Sequence, residues 1–303
     1  MLETNAMFKK VAIGNDKLHP LTDNNIKAIQ NLLLEMLQDI DSLCQKYNLT
    51  YFLAGGTALG AVRHKGFIPW DEDADLCMPR ADYDKLIELI EKEYGDKYWA
   101  QSFCTTDKSD LIFLKIRKKG TRYLELFETD PEHAGIFIDI YPIENIPNFA
   151  PFRFIHGLVC DFLYLCCSCV RVSVKKQRFL EYLGNNKKSV KLIKIKSAIG
   201  KVLSFMSLHK WCKTADKWSK CCKNNNSKYI TIPSGIKHYF GEICSRNSFF
   251  PQQRIAFCDM QLPIMANPKE YLNGLYGDYM KIPSEDERER HTVLELDLGE
   301  VNA

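Results

Sequence analysis

Thr50-Tyr51-Phe52-Leu53-Ala54-Gly55-Gly56 and, beyond a turn marked by Gly66, Pro69 and Trp70, Asp71-Glu72-Asp73-Ala74-Asp75-Leu76-Cys77-Met78 are the two stretches that decide the fold. The first is a β-prone run ended by paired glycines, which predicts a buried strand entering a tight turn. In the second, successive side chains of an extended chain point to opposite faces, so Asp73 and Asp75 share one side. Thr57 to Val62 between the stretches suits a short helix.

Outward from there, Pro79 and Arg80 close the acidic strand, and Tyr83, Leu86, Ile87 and Ile90 recur at helical spacing, with Asp82 where its charge suits the helix dipole. Upstream, Thr22 precedes Ile26, Ile29, Leu33, Leu37, Ile40 and Cys44, the pattern of an amphipathic helix ending near Lys46. Downstream come three strand-like runs, Leu111 to Arg117, Arg122 to Phe127 and Gly135 to Tyr141, with Lys118-Lys119-Gly120 reading as a hairpin turn between the first two. This pattern predicts an α/β unit with a mixed or antiparallel sheet. Pro142, Pro147 and Pro151 mark its end. Helices are expected from Phe152 to about Leu183, from Ser189 to about Met206 and from Pro268 to Met280.

Asp73 and Asp75 at the end of a strand offer hard oxygen donors of the kind that bind Mg²⁺ while leaving water positions for phosphate oxygens. Asp139 lies within Phe137-Ile138-Asp139-Ile140-Tyr141, apolar enough to be a central strand, where an unpaired charge is costly. These three aspartates are the candidate catalytic and metal-ligating residues; Asp139 could instead accept the proton of an attacking hydroxyl. Gly55 and Gly56 allow close backbone approach to a phosphate, and Thr57 either caps the following helix or touches that phosphate. Arg63 is the favoured cation for a donor diphosphate, with Lys115 and Arg117 as further candidates on a strand face. His64, Lys65, Arg122 and His291 suit surface positions as readily.

The 303 residues are 46% hydrophobic and 26% charged, ordinary for a globular protein, and a formal charge of +3 gives no argument for nucleic acid. The positive charge is concentrated: twelve lysines between Lys187 and Lys228 face one acid, Asp216. Twelve cysteines without a repeated Cys-x-x-Cys pair, and a start without an apolar secretory segment, lead to the expectation of reduced thiols and a cytoplasmic location. The stretch His156 to Val174 is short for a bilayer span of about 20 residues; it reads as a buried helix, with a helix resting on the membrane surface as the alternative.

The run Gly55-Gly56-Thr57-Ala58-Leu59-Gly60-Ala61-Val62-Arg63-His64-Lys65-Gly66-Phe67-Ile68-Pro69-Trp70-Asp71-Glu72-Asp73-Ala74-Asp75, continued by Met78-Pro79-Arg80 and Tyr83, resembles the signature of the LicD family of phosphocholine transferases, related to fukutin and fukutin-related protein. Phe137 to Pro142 and Leu275 to Met280 also resemble family segments, while Glu72 and Ala74 depart mildly from its pattern. The resemblance implies a nucleotidyltransferase-like fold in which Gly55 and Gly56 bind donor phosphate and Asp73, Asp75 and Asp139 hold Mg²⁺ or Mn²⁺. It implies a fold of α/β class, a nucleotidyltransferase-like mixed sheet with flanking helices and a largely helical C-terminal part. The expected division is a catalytic core over 1–150, a basic helical insertion over 151–229 and a C-terminal helical segment over 230–303.

The implied reaction moves a phospho-alcohol, most often phosphocholine from CDP-choline, to a hydroxyl of a cell-surface glycan, teichoic acid or lipopolysaccharide and releases CMP. A CDP-ribitol- or CDP-glycerol-dependent polyol-phosphate transferase and an Asp-x-Asp glycosyltransferase using a nucleotide sugar are the alternatives. Implied partners are a CDP-linked donor and a glycan or lipid-linked glycan acceptor, not nucleic acid. The lysine-rich stretch could meet an anionic polymer or the inner face of the membrane. Trp70, Tyr123, Phe127, Tyr141 and Tyr276 are candidate walls for an aromatic cage around choline.

Overall fold

A computed structural model describes residues 19–106, 109–125, 128, 130–182, 187–288 and 292–299; Phe127 and His291 lie outside the described residues. The strands are β1 (His19–Pro20), β2 (Phe52–Leu53), β3 (Asp75–Pro79), β4 (Tyr98–Gln101), β5 (Leu114–Lys118), β6 (Arg122–Glu125), β7 (Phe137–Asn145), β8 (Tyr229–Thr231), β9 (Cys244–Ser245), β10 (Gln253–Phe257), β11 (Met260–Ile264) and β12 (Thr292–Asp297). The helices are α1 (Asp23–Tyr47), α2 (Gly55–His64), α3 (Arg80–Tyr94), α4 (Ala150–Val174), α5 (Lys176–Tyr182), α6 (Lys187–Val202), α7 (Leu208–Ser219), α8 (His238–Gly241), α9 (Arg246–Phe249) and α10 (Pro268–Tyr276).

The main sheet is mixed, as the strand pattern predicts, with order β2-β3-β7-β5-β4 and β8 and β9 extending it from the end of β7. β3 and β7 are parallel, with Asp75 opposite Asp139; β2, β5 and β4 join antiparallel. β7 runs on through Pro142 to Asn145 although the proline was expected to end it. The ring costs no hydrogen bond on the β5 side, where pairing stops at Ile140. The expected hairpin is not formed: β5 pairs with β4 and β7, while β6 crosses to β12 in a separate three-stranded sheet with β1. Lys119 and Gly120 do form a turn, with Gly120 at φ +77, but it passes the chain from one sheet to another.

α1 begins in a capping box, Asn25 N–H donating to Thr22 Oγ1 at 3.2 Å and Thr22 N–H to Asn25 Oδ1 at 3.0 Å. Its stripe of Ile26, Ile29, Leu33, Leu37, Ile40 and Cys44 is buried against the sheet, each Leu or Ile contributing about 1.5–3 kcal/mol. The expected helix from Phe152 to Leu183 is divided into α4 and α5 at Lys175. Cys160, Leu163, Cys167 and Val170 of α4 build a second core with Trp211, Cys212 and Ala215 of α7. Arg80 joins the two regions, pairing with Glu144 on β7 and, at 2.9 Å, with Asp216 on α7. The one acid of the lysine-rich stretch is thus an anchor to the core sheet. From 230 onward β8 to β12 accompany the expected helix at Pro268, so this part is not largely helical. All twelve cysteines are free thiols.

Candidate active site

The end of β2, the start of α2 and the start of β3 meet at Asp75. Ala54 N–H donates to Asp75 O at 2.9 Å, and Asp75 N–H donates to Thr57 Oγ1 at 2.8 Å. Asp139 N–H in turn donates to Ala74 O at 2.9 Å. Adjacent parallel strands in register present partnered side chains to the same face, so the Asp75 and Asp139 carboxylates sit side by side. Along the approach to β3, burial alternates: Glu72, Ala74 and Leu76 are buried, whereas Asp71, Asp73 and Asp75 are partly exposed. Asp73 therefore shares the open side with Asp75, as the alternation predicts. Gln30 of α1 holds the acidic loop from behind, its Nε2 donating to Asp71 O at 2.7 Å and Ile68 O at 3.1 Å.

The paired glycines lie directly on the acids. Gly55 has φ +48, and a Cβ there would fall 2.5 Å from Asp75 Oδ2; one on Gly56 would fall 2.7 Å from Asp71 Oδ2. Both close approach and left-handed backbone thus require glycine at 55. Gly55 N–H donates to the Tyr271 hydroxyl at 3.2 Å, and no side chain caps the N-terminus of α2.

Lys115 stands opposite Asp139 across β5 and β7. Its Nζ lies 3.1 Å from Asp139 Oδ1, 3.3 Å from Oδ2 and 3.2 Å from Glu125 Oε2, over the ring of Phe137. Burial pushes the Asp139 carboxyl up to about 6, with the Lys115 ammonium pulling it down and Glu125 and Asp73 raising it. Tyr276, just past the site on α10, has its phenol held well above the usual range by burial and by Asp75, Asp71 and Asp73.

Of the residues expected at the site, Asp73, Asp75, Asp139, Gly55, Gly56, Thr57 and Lys115 are brought together. In this structure Thr57 braces Asp75 from within the core. Arg63 turns to the segment after α10, Nη1 donating to Tyr279 O at 2.9 Å and Lys281 O at 3.4 Å. Arg117 is buried, paired with Glu128 and donating to Gln101 Oε1 at 2.6 Å and Gly135 O at 3.0 Å. Its donors are thereby taken up inside the protein. Trp70 packs between Arg63 and Arg288, a brace for the loop. Glu125, Gln30, Tyr271 and Glu242 also stand at or behind the site, and sequence reasoning passed over all four. Glu125 comes from a strand of the other sheet, and Glu242 and Tyr271 from a region more than 160 residues past the motif, so no local spacing signals them.

The donor chemistry fits a hard divalent ion. Asp139 Oδ1 is buried and has no aligned hydrogen bond despite the nearby Lys115, so it retains acceptor capacity. Among the described residues the only trio of potential ligands with donor atoms within 4.8 Å of one another is Asp130, Glu132 and His133; the three aspartates are more widely set. An open arrangement suits Mg²⁺, which binds through one or two carboxylates and fills its remaining positions with water and phosphate. The Asp130 group is a hydrogen-bonded edge, with His133 stacked on Trp99 at 4.0 Å.

Comparison with known proteins finds a family to which the region of this site is similar. Residues 48–149 match the LicD/FKTN/FKRP nucleotidyltransferase domain, a span that contains Gly55, Gly56, Asp73, Asp75, Lys115 and Asp139. Over 281 residues the chain is 26% identical to the lipopolysaccharide cholinephosphotransferase LicD of Haemophilus influenzae, covering 89% of this chain and 97% of that protein. Shorter matches join it to an uncharacterised protein of Rickettsia prowazekii, 29% identical over 46% of this chain and 54% of that one, and to another of Rickettsia typhi, 42% identical over 40% and 42%. Residues 48–149 are thus similar to the nucleotidyltransferase domain of the LicD family, and most of the chain is similar to a LicD cholinephosphotransferase.

Proposed function

We propose that this protein is a metal-dependent transferase that moves a phospho-alcohol, phosphocholine in the first instance, from a CDP-linked donor to a hydroxyl of a surface glycan, releasing CMP. The observation that carries the reading is the in-register pair Asp75 and Asp139 beside the Gly55-Gly56 turn. Similarity to a lipopolysaccharide cholinephosphotransferase over most of the chain supports it and makes lipopolysaccharide or its lipid-linked precursor the first acceptor to try. In this reading the reaction takes place in the cytoplasm, at the inner face of the membrane.

In this reading Asp73, Asp75 and Asp139 hold Mg²⁺ or Mn²⁺, which supplies charge neutralisation on the diphosphate and the leaving CMP. The uncapped start of α2, with glycines that admit close approach, receives the donor phosphate. The acceptor hydroxyl oxygen attacks the phosphorus that carries the alcohol, and the bond from that phosphorus to the CMP oxygen breaks as CMP departs. With all three aspartates on the metal the hydroxyl proton passes to water; where Asp139 stands free of the metal instead, its carboxylate takes that proton. Lys115 keeps Asp139 oriented and partly neutralised between turnovers.

The test is product analysis of the purified protein with Mg²⁺, CDP-choline and lipopolysaccharide from a choline-free strain. Phosphocholine on the glycan with equimolar CMP supports the reading; sugar transfer from a nucleotide sugar instead would replace it with the glycosyltransferase alternative.

A further inference from the structure

A narrow cleft, open to solvent at its mouth, adjoins Gly55 and Asp75. Its walls are Tyr141 from β7, Ile232 after β8, Tyr271 and Leu275 from α10, and its far side is Glu242. Glu242 is 4% exposed and lies directly on Gly235, where a Cβ would meet Oε1 at 2.1 Å. The backbone N–H of Lys237 donates to Glu242 Oε1 at 3.0 Å. The Lys237 ammonium is tied elsewhere, donating to Gly274 O at 2.8 Å. Among the described residues no lysine or arginine lines the cleft. A buried carboxylate facing apolar and aromatic walls, with its lysine neighbour's ammonium directed away, calls for a cation from outside.

We propose that this cleft is the alcohol subsite of the donor and takes a quaternary ammonium, with Glu242 as its counter-charge and Tyr141 and Tyr271 as aromatic walls; the assignment rests on the phospho-alcohol transfer proposed above. A trimethylammonium has no N–H to satisfy and is held by ring faces and a nearby negative charge. A polyol such as ribitol brings several hydroxyls that need partners, and this wall offers few. The cleft opens beside Asp75, so a diphosphate at the glycine turn would place its alcohol end there. Glu242 and Tyr271 lie beyond residues 48–149, so selectivity for the alcohol is contributed from outside the shared nucleotidyltransferase domain.

The experiment is calorimetric titration of the full chain with CDP-choline and with CDP-ribitol, in the wild type and in Glu242→Gln, which keeps the acceptor for Lys237 N–H. The expected result is CDP-choline binding at least tenfold tighter than CDP-ribitol in the wild type, with that ratio falling about tenfold in the variant and CDP-ribitol affinity unchanged. Should Glu242→Gln not fold, Tyr141→Leu serves, with the same selective loss expected. Equal affinity for both donors, or a ratio indifferent to both substitutions, overturns the subsite. Failure of the transfer reading shows separately, as selective CDP-choline binding without CMP release.

A different observation carries a second inference. Ile155, Leu158 and Phe162 form an exposed stripe on α4, flanked by Phe152, which is 63% exposed. On α6, packed beside it through Gly200 and Cys169, the exposed face is split. Ile195, Ile199 and Val202 lie along one edge and Lys187, Lys194 and Lys201 along the other, at a spacing of seven. α4 is long and apolar enough to cross a membrane, but 44% of its apolar window is buried within the protein. We infer that the α4–α6 face lies flat on an anionic lipid surface. Five exposed lysines and no acid on α6 would repel a second copy of the same face but suit acidic headgroups.

Co-sedimentation with vesicles tests it, using phosphatidylcholine alone and an equal mixture with phosphatidylglycerol. The full chain is expected to bind the mixed vesicles, to release them at high salt, and to lose binding in Phe152→Ser/Phe162→Ser with its unfolding midpoint unchanged. Absence of binding to the mixed vesicles, or a dimer in solution that the same substitutions dissociate, overturns the assignment.

Discussion

Two buried carboxylates near Asp75 are treated differently by the fold. Asp139 has the Lys115 ammonium 3.1 Å away and Glu125 sharing it. Glu242 accepts the peptide N–H groups of Lys237 and Ile236, and burial pushes its carboxyl up to about 7 against those bonds and the more distant Lys237 charge. A paired acid is equipped to be ionised whether or not a ligand is present. An acid without a facing cation is equipped to meet one, and its cost in the free protein is the difference that binding recovers.

The comparison can be broken most severely at Lys115. Lys115→Met leaves Asp139 and Glu125 without their shared counter-charge, and a loss of about 3–5 kcal/mol in unfolding free energy is expected. Because the carboxyl that remains can take up a proton, the loss should be smaller at pH 5 than at pH 8 in denaturant titrations; a small or pH-independent loss would mean that the pair is not what stabilises Asp139. The counterpart is Glu242→Gln. The folded protein holds a proton on Glu242 through the interval between the ordinary value of 4.5 and about 7, so wild-type stability declines as pH rises through that interval. The variant, which has no charge to bury, should be more stable than wild type at pH 8 by up to about 3 kcal/mol. The advantage should vanish below pH 4.5.

Smaller effects sharpen the position of Asp75 between the two. Gly55→Ala forces a left-handed residue and a clash with the Asp75 carboxylate, with an expected cost of about 1–2 kcal/mol and a larger proportional loss of transfer than of stability. Thr57→Val removes the acceptor for Asp75 N–H while keeping shape; a loss of about 1–2 kcal/mol by thermal unfolding is expected.

The Asp139 half of this comparison was legible and the Glu242 half was not, for physical reasons. Strand alternation put Asp73 and Asp75 on one side, and an aspartate between Ile138 and Ile140 announced a buried site that needed a partner. Lys115 could be placed on a strand face, but that it meets Asp139 depends on the β5–β7 register. The hairpin at Lys118-Lys119-Gly120 was misread because a turn signal does not say which sheet the chain enters next. Arg63 and Arg117 carried the right charge, yet their partners, Tyr279 O and Glu128, are fixed only by tertiary packing. Glu242 sits in a four-residue helix end with no periodicity to mark it. The helix through His156 to Val174 was expected to be buried; it is buried on the Cys160, Leu163 and Cys167 side and bare on the Phe162 side, since an all-round apolar helix gives no sign of which face the fold covers.

The central claim, that the aspartates beside the glycine turn transfer a phospho-alcohol, is tested most directly by following CMP release from CDP-choline with Mg²⁺ and a lipopolysaccharide acceptor in wild type and Asp75→Ala. The account predicts CMP release coupled to phosphocholine on the glycan in the wild type, abolished by chelation of the metal. In the folded variant it should fall on the order of 10²–10³-fold or more. Undiminished transfer by Asp75→Ala, or by the wild type without a divalent ion, would contradict it.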